Sequence, residues 1–548
     1  MIRSLPTLAT LASTLAFAVP LATQMPEERG GHAEQLGRVR FTTTCRGAAR
    51  SGVEHGVAYL HSFWYEKAAE AFTAAAAADS SCAMAFWGQA MSLLHPLWTP
   101  PSTADARVAI VAIDRGLAAA KSTRERDYLS AIRAYYADYD GTDPTTRLLR
   151  YALAMDTVRR HSPSDREAAI FYALALIAVG QAKATDTTFT YQKRADSILE
   201  PLFRLEPEHP GLAHYLIHTN DVPPLAPHGL SAARRYAAIA PDVPHAQHMP
   251  SHIFTRLGLW DDAIASNTRS AAAARAYEAE RGLTAMWDQR THALDYLAYA
   301  YLQQGRDFAA RRVVDEAAAA RGGYPAGSLP HEYACAAIPA RFALERGHWS
   351  EAARLTVRAA PEWPAAEAIT HFARTIGAAR SGDTAVARHE LLVLAQIEST
   401  LTASGGPQAY WAGQVAVQRL AARAWLEVAT GDTAAAIRHA GQAADREDGT
   451  QKHPVTPGPV LPARELEGDL LLLVGKPAAA ARAYAAALVL SPNRARSLFG
   501  LAHAAELTGD VSTARAKYQE FLHLMAEADG ARPEIAIARQ GVAGRKRS

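Results

Sequence analysis

The chain repeats itself at an interval of 34 residues, and that interval leaves few architectures open. Gly475 and Gly509, Tyr484 and Tyr518, and Leu488 and Leu522 are each 34 positions apart. Each glycine falls between two apolar helical segments and is followed by small residues and an aromatic, in GKPAAAARAYAAAL and GDVSTARAKYQEFL. Ser491-Pro492-Asn493 closes one unit and opens the next. A unit of this kind is one helical hairpin, whose apolar face only a neighbouring hairpin can cover. Less regular copies follow Gly258, Gly305 and Gly347, and Gly382-Asp383 and Gly431-Asp432 mark two further turns. A row of roughly eight to ten hairpins is predicted, with insertions in several loops.

Composition agrees with that reading. Alanine runs such as Ala74 to Ala78 and Ala478 to Ala481 favour helix and let helices approach closely. No strand-like alternation is sustained, and the proline-rich stretches 95–101 and 453–459 are expected as loops between hairpins. Two antiparallel helices with a glycine turn, small residues at their crossing and a closing proline resemble the tetratricopeptide repeat. The predicted fold is therefore an all-α solenoid of tetratricopeptide-type hairpins, wound as a right-handed superhelix. Lys and Arg total 57 against 55 Asp and Glu, so the net charge is only +2. That balance gives no electrostatic basis for nucleic acid or an anionic membrane as partner.

The N-terminus reads as a secretory signal peptide over residues 1–22, with Arg3, an apolar run from Leu5 to Val19, and a small-x-small site at Ala16-Phe17-Ala18. A retained anchor is the alternative reading, and no other stretch is apolar enough for stable membrane insertion. A periplasmic or secreted location follows from the leader. In such a compartment Cys45 and Cys82 can form a disulfide that ties the N-terminal segment to the first hairpin. Cys335, in an Ala-rich stretch, is expected as a small buried residue. The implied organisation is a segment over 23–44, repeats over 45–205, histidine-rich repeats over 206–265, further repeats over 266–540, and a basic tail over 541–548.

Seven of the 21 histidines lie between His209 and His252. The motif H-x3-H occurs twice there, as His214/His218 and His248/His252, one 34-residue repeat apart. Four-residue spacing puts both members of a pair on one helix face. Counted back from Gly258, His245, His248 and His252 take the second, fifth and ninth places of a first helix. In the preceding repeat His214 and His218 take the fifth and ninth places and Asp221 the twelfth; before Gly305, His292 and Asp295 take the second and fifth. In tetratricopeptide repeats these places line the concave groove. Imidazoles from adjacent first helices, about 8–10 Å apart, can converge on one ion. His214, His218, His248 and His252 are the predicted ligands, and zinc, copper and iron all accept imidazole. His245, Asp221, His292 and Asp295 would complete the sphere or orient ligands from behind. Recognition of an acidic ligand by the imidazoles and a structural hydrogen-bond network remain open alternatives. Pro250, between His248 and His252, removes a backbone donor and is expected to kink that helix. Glu465, fifth from Gly475 on its helix, is a further groove candidate.

Several stretches resemble a family of exported bacterial tetratricopeptide-repeat proteins. They are LHSFWYEKAAEAF and CAMAFWGQAMS, HPGLAHYLIHTNDVPPLA, PHAQHMPSHIFTRLGLWDD, and KHPVTPGPVLPARELEGDLLL. The resemblance implies the fold and export without assigning a reaction, and it places both histidine pairs, His453 and Glu465 inside the family's motifs. Conventional catalytic signatures are absent from the sequence. Two functions follow as expectations. The first is a solenoid that holds a peptide, protein or small ligand in its groove, directly or through a histidine-bound metal. The alternative is a metal-dependent hydrolase or oxidative enzyme, in which Glu465 or Asp295 could act as general base.

Overall fold

Glycine in the left-handed region ends the first helix of each regular repeat, where a side chain would clash with the backbone. Gly475 and Gly509 have φ of +74° and +81°, and the second helix starts two residues after each of them. The computed structural model describes residues 34–360 and 362–543, and from Gln35 onward the chain is one compact unit. Its architecture is the all-α, tetratricopeptide-type solenoid read from the repeats. Among the described residues, twelve hairpins follow one another, from Gly47–His61 with Tyr65–Ala78 to Ala495–Thr508 with Val511–Leu524, and Pro533–Ala543 closes the row. The only sheet described is a two-residue parallel pairing of Met286–Trp287 with Gly323–Tyr324.

Twelve hairpins exceed the eight to ten expected, because N-terminal units lack the glycine turn that marks the others. The first turns on residues 62–64 and the second on the proline-rich loop 93–102. Residue 265 falls inside Trp260–Glu280, and residue 540 inside Pro533–Ala543. The predicted leader and the last five residues of the predicted tail lie outside the described residues. No described helix is long and apolar enough to cross a membrane.

Residues 35–44 run without regular structure from the starts of the fifth and sixth hairpins, where Arg38 donates to the Glu208 carbonyl at 2.9 Å, to the first hairpins. Phe41 is buried and stacks on Trp87 at 5.1 Å between ring centroids. The Cys45–Cys82 disulfide is formed, with 4.8 Å between Cα atoms, and closes a loop across 37 positions. A cross-link of that span is worth about 4 kcal/mol on the loop-entropy account. The double substitution Cys45→Ser/Cys82→Ser is therefore expected to lower the urea midpoint markedly while leaving the helical spectrum intact. An unchanged midpoint would show that the bridge constrains nothing. Cys335 is half-buried, with Sγ 3.6 Å from His331 Nε2.

The solenoid closes over its own first-helix face. Residues 449–462 form a strap that leaves the tenth hairpin and crosses to earlier ones. Gln451 donates from its backbone N–H to the Ala184 carbonyl at 2.8 Å. Tyr296 donates to the Thr456 carbonyl at 3.2 Å, and Arg341 donates to the Pro459 carbonyl at 2.7 Å. Val455, Thr456 and Val460 are buried as a result. The C-terminal hairpins fold back as well. Trp260 donates to the Asn493 carbonyl at 2.9 Å, and Arg494 pairs with Glu345 at 2.6 Å and Glu465 at 2.5 Å.

Candidate metal centre

Pro250 breaks the first helix of the sixth hairpin into Pro244–His248 and Pro250–Leu257, as the missing N–H requires. The break does not separate its histidines: Nε2 of His248 and Nε2 of His252 lie 3.0 Å apart. In the fifth hairpin, helix Pro210–Asn220 carries His214 and His218 one turn apart, with ring centroids at 4.8 Å. His245 opens the sixth hairpin and His292 sits in the first turns of Asp288–Gln303.

The six imidazoles sort into two triads, His214/His218/His245 and His248/His252/His292, each offering one donor atom per residue within 4.8 Å of the others. The two H-x3-H pairs therefore fall in separate triads, and each triad takes its third imidazole, His245 or His292, from the next repeat. The residues are also not open to a groove. His214, His248, His252 and His292 are at most 2% exposed, and His218 is 8% exposed. The register places them on the first-helix face, but loops from elsewhere in the chain cover that face.

Each anchored ring presents its other nitrogen to the cluster. His214 donates from Nδ1 to the His61 carbonyl at 2.6 Å, and His245 from Nδ1 to Gln289 Oε1 at 3.1 Å. Nε2 of His214, His218 and His245 is buried without a hydrogen-bond partner. In the second triad His248 donates from Nδ1 to Asn267 Oδ1 at 2.6 Å, and Asn267 Nδ2 donates to the Ala263 carbonyl at 2.8 Å, which fixes the amide. His252 donates from Nδ1 to Asp221 Oδ2 at 2.9 Å. His292 hydrogen-bonds the Val455 backbone, and its Nδ1 has no partner. Buried polar atoms rarely stay unpaired, and leaving one so costs about 1–3 kcal/mol. Three unpartnered Nε2 atoms in the first triad, and the unpartnered His292 Nδ1 in the second, are donors that a cation would satisfy. Fixing one ring nitrogen by an acceptor is the support that metal-ligating histidines ordinarily have.

Burial holds His214, His218, His248 and His292 well below the ordinary histidine range, mutual repulsion adding to it. It lowers His245 to about 3 and lowers His252 despite the Asp221 carboxylate. The rings are neutral at neutral pH and free to coordinate. Asp221 acts from behind the ligands: besides His252 it pairs with Arg256 at 2.9 Å and Lys452 at 2.6 Å. Asp295 is buried beside Arg341 at 3.4 Å, and burial raises its carboxyl above the usual range. Glu465 is held by Arg494 and accepts from Ser497, and belongs to neither triad.

A third group, His61/Glu167/His209, provides a contrast. His61 lies 2.9 Å and His209 3.0 Å from the Glu167 carboxylate. His61 Nδ1 meets the Tyr215 hydroxyl at 3.0 Å, and His209 Nδ1 accepts the Leu212 N–H at 3.3 Å. Every imidazole nitrogen there has a partner, so the group is a hydrogen-bond network. The same His61 offers its backbone carbonyl to His214.

Residues not singled out from sequence close the cluster. Phe63, in the left-handed region at φ +53°, packs its ring on His214, His218 and His245 at 4.4, 5.5 and 5.8 Å between centroids. Trp98 packs on His245 at 5.9 Å and His292 at 5.7 Å. Both lie in stretches whose unusual make-up was visible, SFWY and the HPLWTPP loop, but nothing local assigns such loops to histidines more than a hundred residues away. Two cavities flank the seal. One of about 750 Å³ has Trp98, Lys452 and His453 on its wall, and one of about 310 Å³ has Arg256, Lys452 and Tyr333.

The sequence matches no known protein family and no curated protein. Among solved structures it is similar to yeast Tom70, at 9% identity and a TM-score of 0.33 over 90% of this chain and 96% of that one. It is also similar to the human IFIT1 dimer with m7Gppp-AAAA, at 12% identity and a TM-score of 0.37 over 89% of this chain and 92% of that one. Scores this low leave this chain's site to be read from its own geometry.

Proposed function

We propose that the chain is an exported metalloprotein that binds a transition metal through buried histidines and acts with it on a small ligand. The observation that carries the reading is the convergence of three unpartnered, buried Nε2 atoms, from His214, His218 and His245. Three imidazoles with an open fourth position suit metal-dependent chemistry, because a catalytic ion needs a site for water or substrate. The covering of the cluster favours a small ligand over a peptide laid along the groove, since Phe63, Trp98 and the strap stand between the rings and any extended chain. Such a ligand would occupy the cavity walled by Trp98 and Lys452. The Cys45–Cys82 disulfide supports an oxidising, extracytoplasmic setting, and the resemblance of the histidine motifs to an exported bacterial family points the same way.

The test is the metal content of the purified full chain, by mass spectrometry, beside a His214→Ala/His248→Ala variant. Near-stoichiometric transition metal in the parent and little in the folded variant is expected. A parent that takes up no zinc, copper or iron on reconstitution would leave the cluster a structural network.

A further inference from the structure

One positional rule generates both triads. His214 and His218 stand fifth and ninth on a first helix and His245 second on the next; His248, His252 and His292 hold the same places one repeat later. The same repeat positions therefore bring three imidazoles together twice. The two lie against each other. Ring centroids of His218 and His252 are 5.8 Å apart and those of His245 and His248 are 6.0 Å apart. Within the second triad the spread is 4.2 Å for His248–His292 to 6.1 Å for His252–His292. By distance the six rings are one cluster with two centres.

The chemistry of the donors narrows the ion. All six are neutral imidazoles. The carboxylate that touches them, Asp221, is already shared by Lys452 and Arg256, so no uncompensated negative charge meets an entering cation. The cost of burying an ion grows steeply with its charge. A divalent ion in such a site is penalised more than a monovalent one, and cuprous copper carries a single charge and accepts imidazole. Neither triad includes a carboxylate oxygen of the kind hard ions want.

We infer that the six histidines form a two-copper centre, one ion on His214, His218 and His245 and the other on His248, His252 and His292. The inference rests on the metal-binding reading above and adds to it the number, placement and identity of the ions. Metal-free full chain, titrated anaerobically with copper(I) under native mass spectrometry, is expected to take two ions. His218→Asn and His292→Asn are each expected to take one. After one-electron oxidation of each ion to copper(II) with ferricyanide, the parent's electron paramagnetic resonance spectrum is expected to show the ions interacting. Each single variant should show an isolated ion. A parent that binds one copper, or single variants that each lose both, would mean one shared site and overturn the inference. A parent spectrum that is merely the sum of the variants' would overturn the pairing. Should a variant not fold, as judged by circular dichroism, the parent's stoichiometry and spectrum decide alone. A chain that binds zinc singly and refuses copper sinks this inference while sparing metal binding; a chain that binds no transition metal sinks both.

Discussion

Asp221→Asn is expected to destabilise the chain by about 3–5 kcal/mol, because it leaves two buried cations without their counter-ion. The Asp221 carboxylate accepts from His252 Nδ1, Arg256 Nε and Lys452 Nζ at 2.9, 2.9 and 2.6 Å. The Lys452 and Asp221 side chains are each 7% exposed, so water does little to compensate. The same change frees the His252 ring, and loss of such a support commonly costs 10- to 100-fold in metal affinity. Chemical unfolding and a competition titration with a chelating dye read the two effects separately. Lys452→Met in the Asp221→Asn background should recover part of the stability, since one orphaned charge is gone, without recovering the affinity. Parent-like stability and affinity in Asp221→Asn would show that the carboxylate neither holds the strap nor orients the ring.

Acid is expected to unfold the metal-free chain well before most carboxylates are protonated. In the unfolded chain each histidine takes a proton near its ordinary value of 6.5, whereas in the folded chain His245 is held to about 3. The other five are lowered as well, burial being the largest cause in each. As pH falls from 6.5 toward 3 the unfolded state therefore binds more protons than the folded state, and stability drops. Each group held neutral in the folded chain costs roughly 1 kcal/mol per pH unit below its ordinary value, and such losses add against a total stability of only about 5–15 kcal/mol. The helical signal of the metal-free chain should collapse between about pH 6 and pH 4. Bound metal should move the midpoint lower, and a His214→Gln/His218→Gln/His245→Gln variant should show a shallower fall. A metal-free parent that stays folded at pH 4 would mean that the rings are hydrated or already charged.

The fold could be read from sequence because a helical hairpin announces itself locally. Glycines at the turns, alanine at the crossings and the 34-residue recurrence of Tyr484 and Tyr518 are all short-range signals. Where the turn used another device, as in the proline-rich loop 93–102, no glycine marked the hairpin. Legibility of the site followed the same division. Register within a helix placed all six histidines on one face and put Asp221 near them. What register does not contain is which neighbour covers that face. The third imidazole of each triad comes from the next repeat, and whether His214 meets His248 or His245 depends on the offset between adjacent helices. The covering residues Trp98 and Lys452 come from irregular loops far along the chain, where periodicity is silent. Glu465, whose place on its helix matched that of the histidines, is held instead by Arg494.

The strap has one more implication, for timing. Lys452 reaches Asp221 across 231 residues, and Thr456 reaches Tyr296 across 160, so a nascent chain that has finished both histidine repeats still lacks the lid over them. Until the tenth hairpin is complete the imidazoles are uncovered, and an ion bound as proposed above would exchange freely with the surroundings; once the strap is in place, that exchange would be slowed.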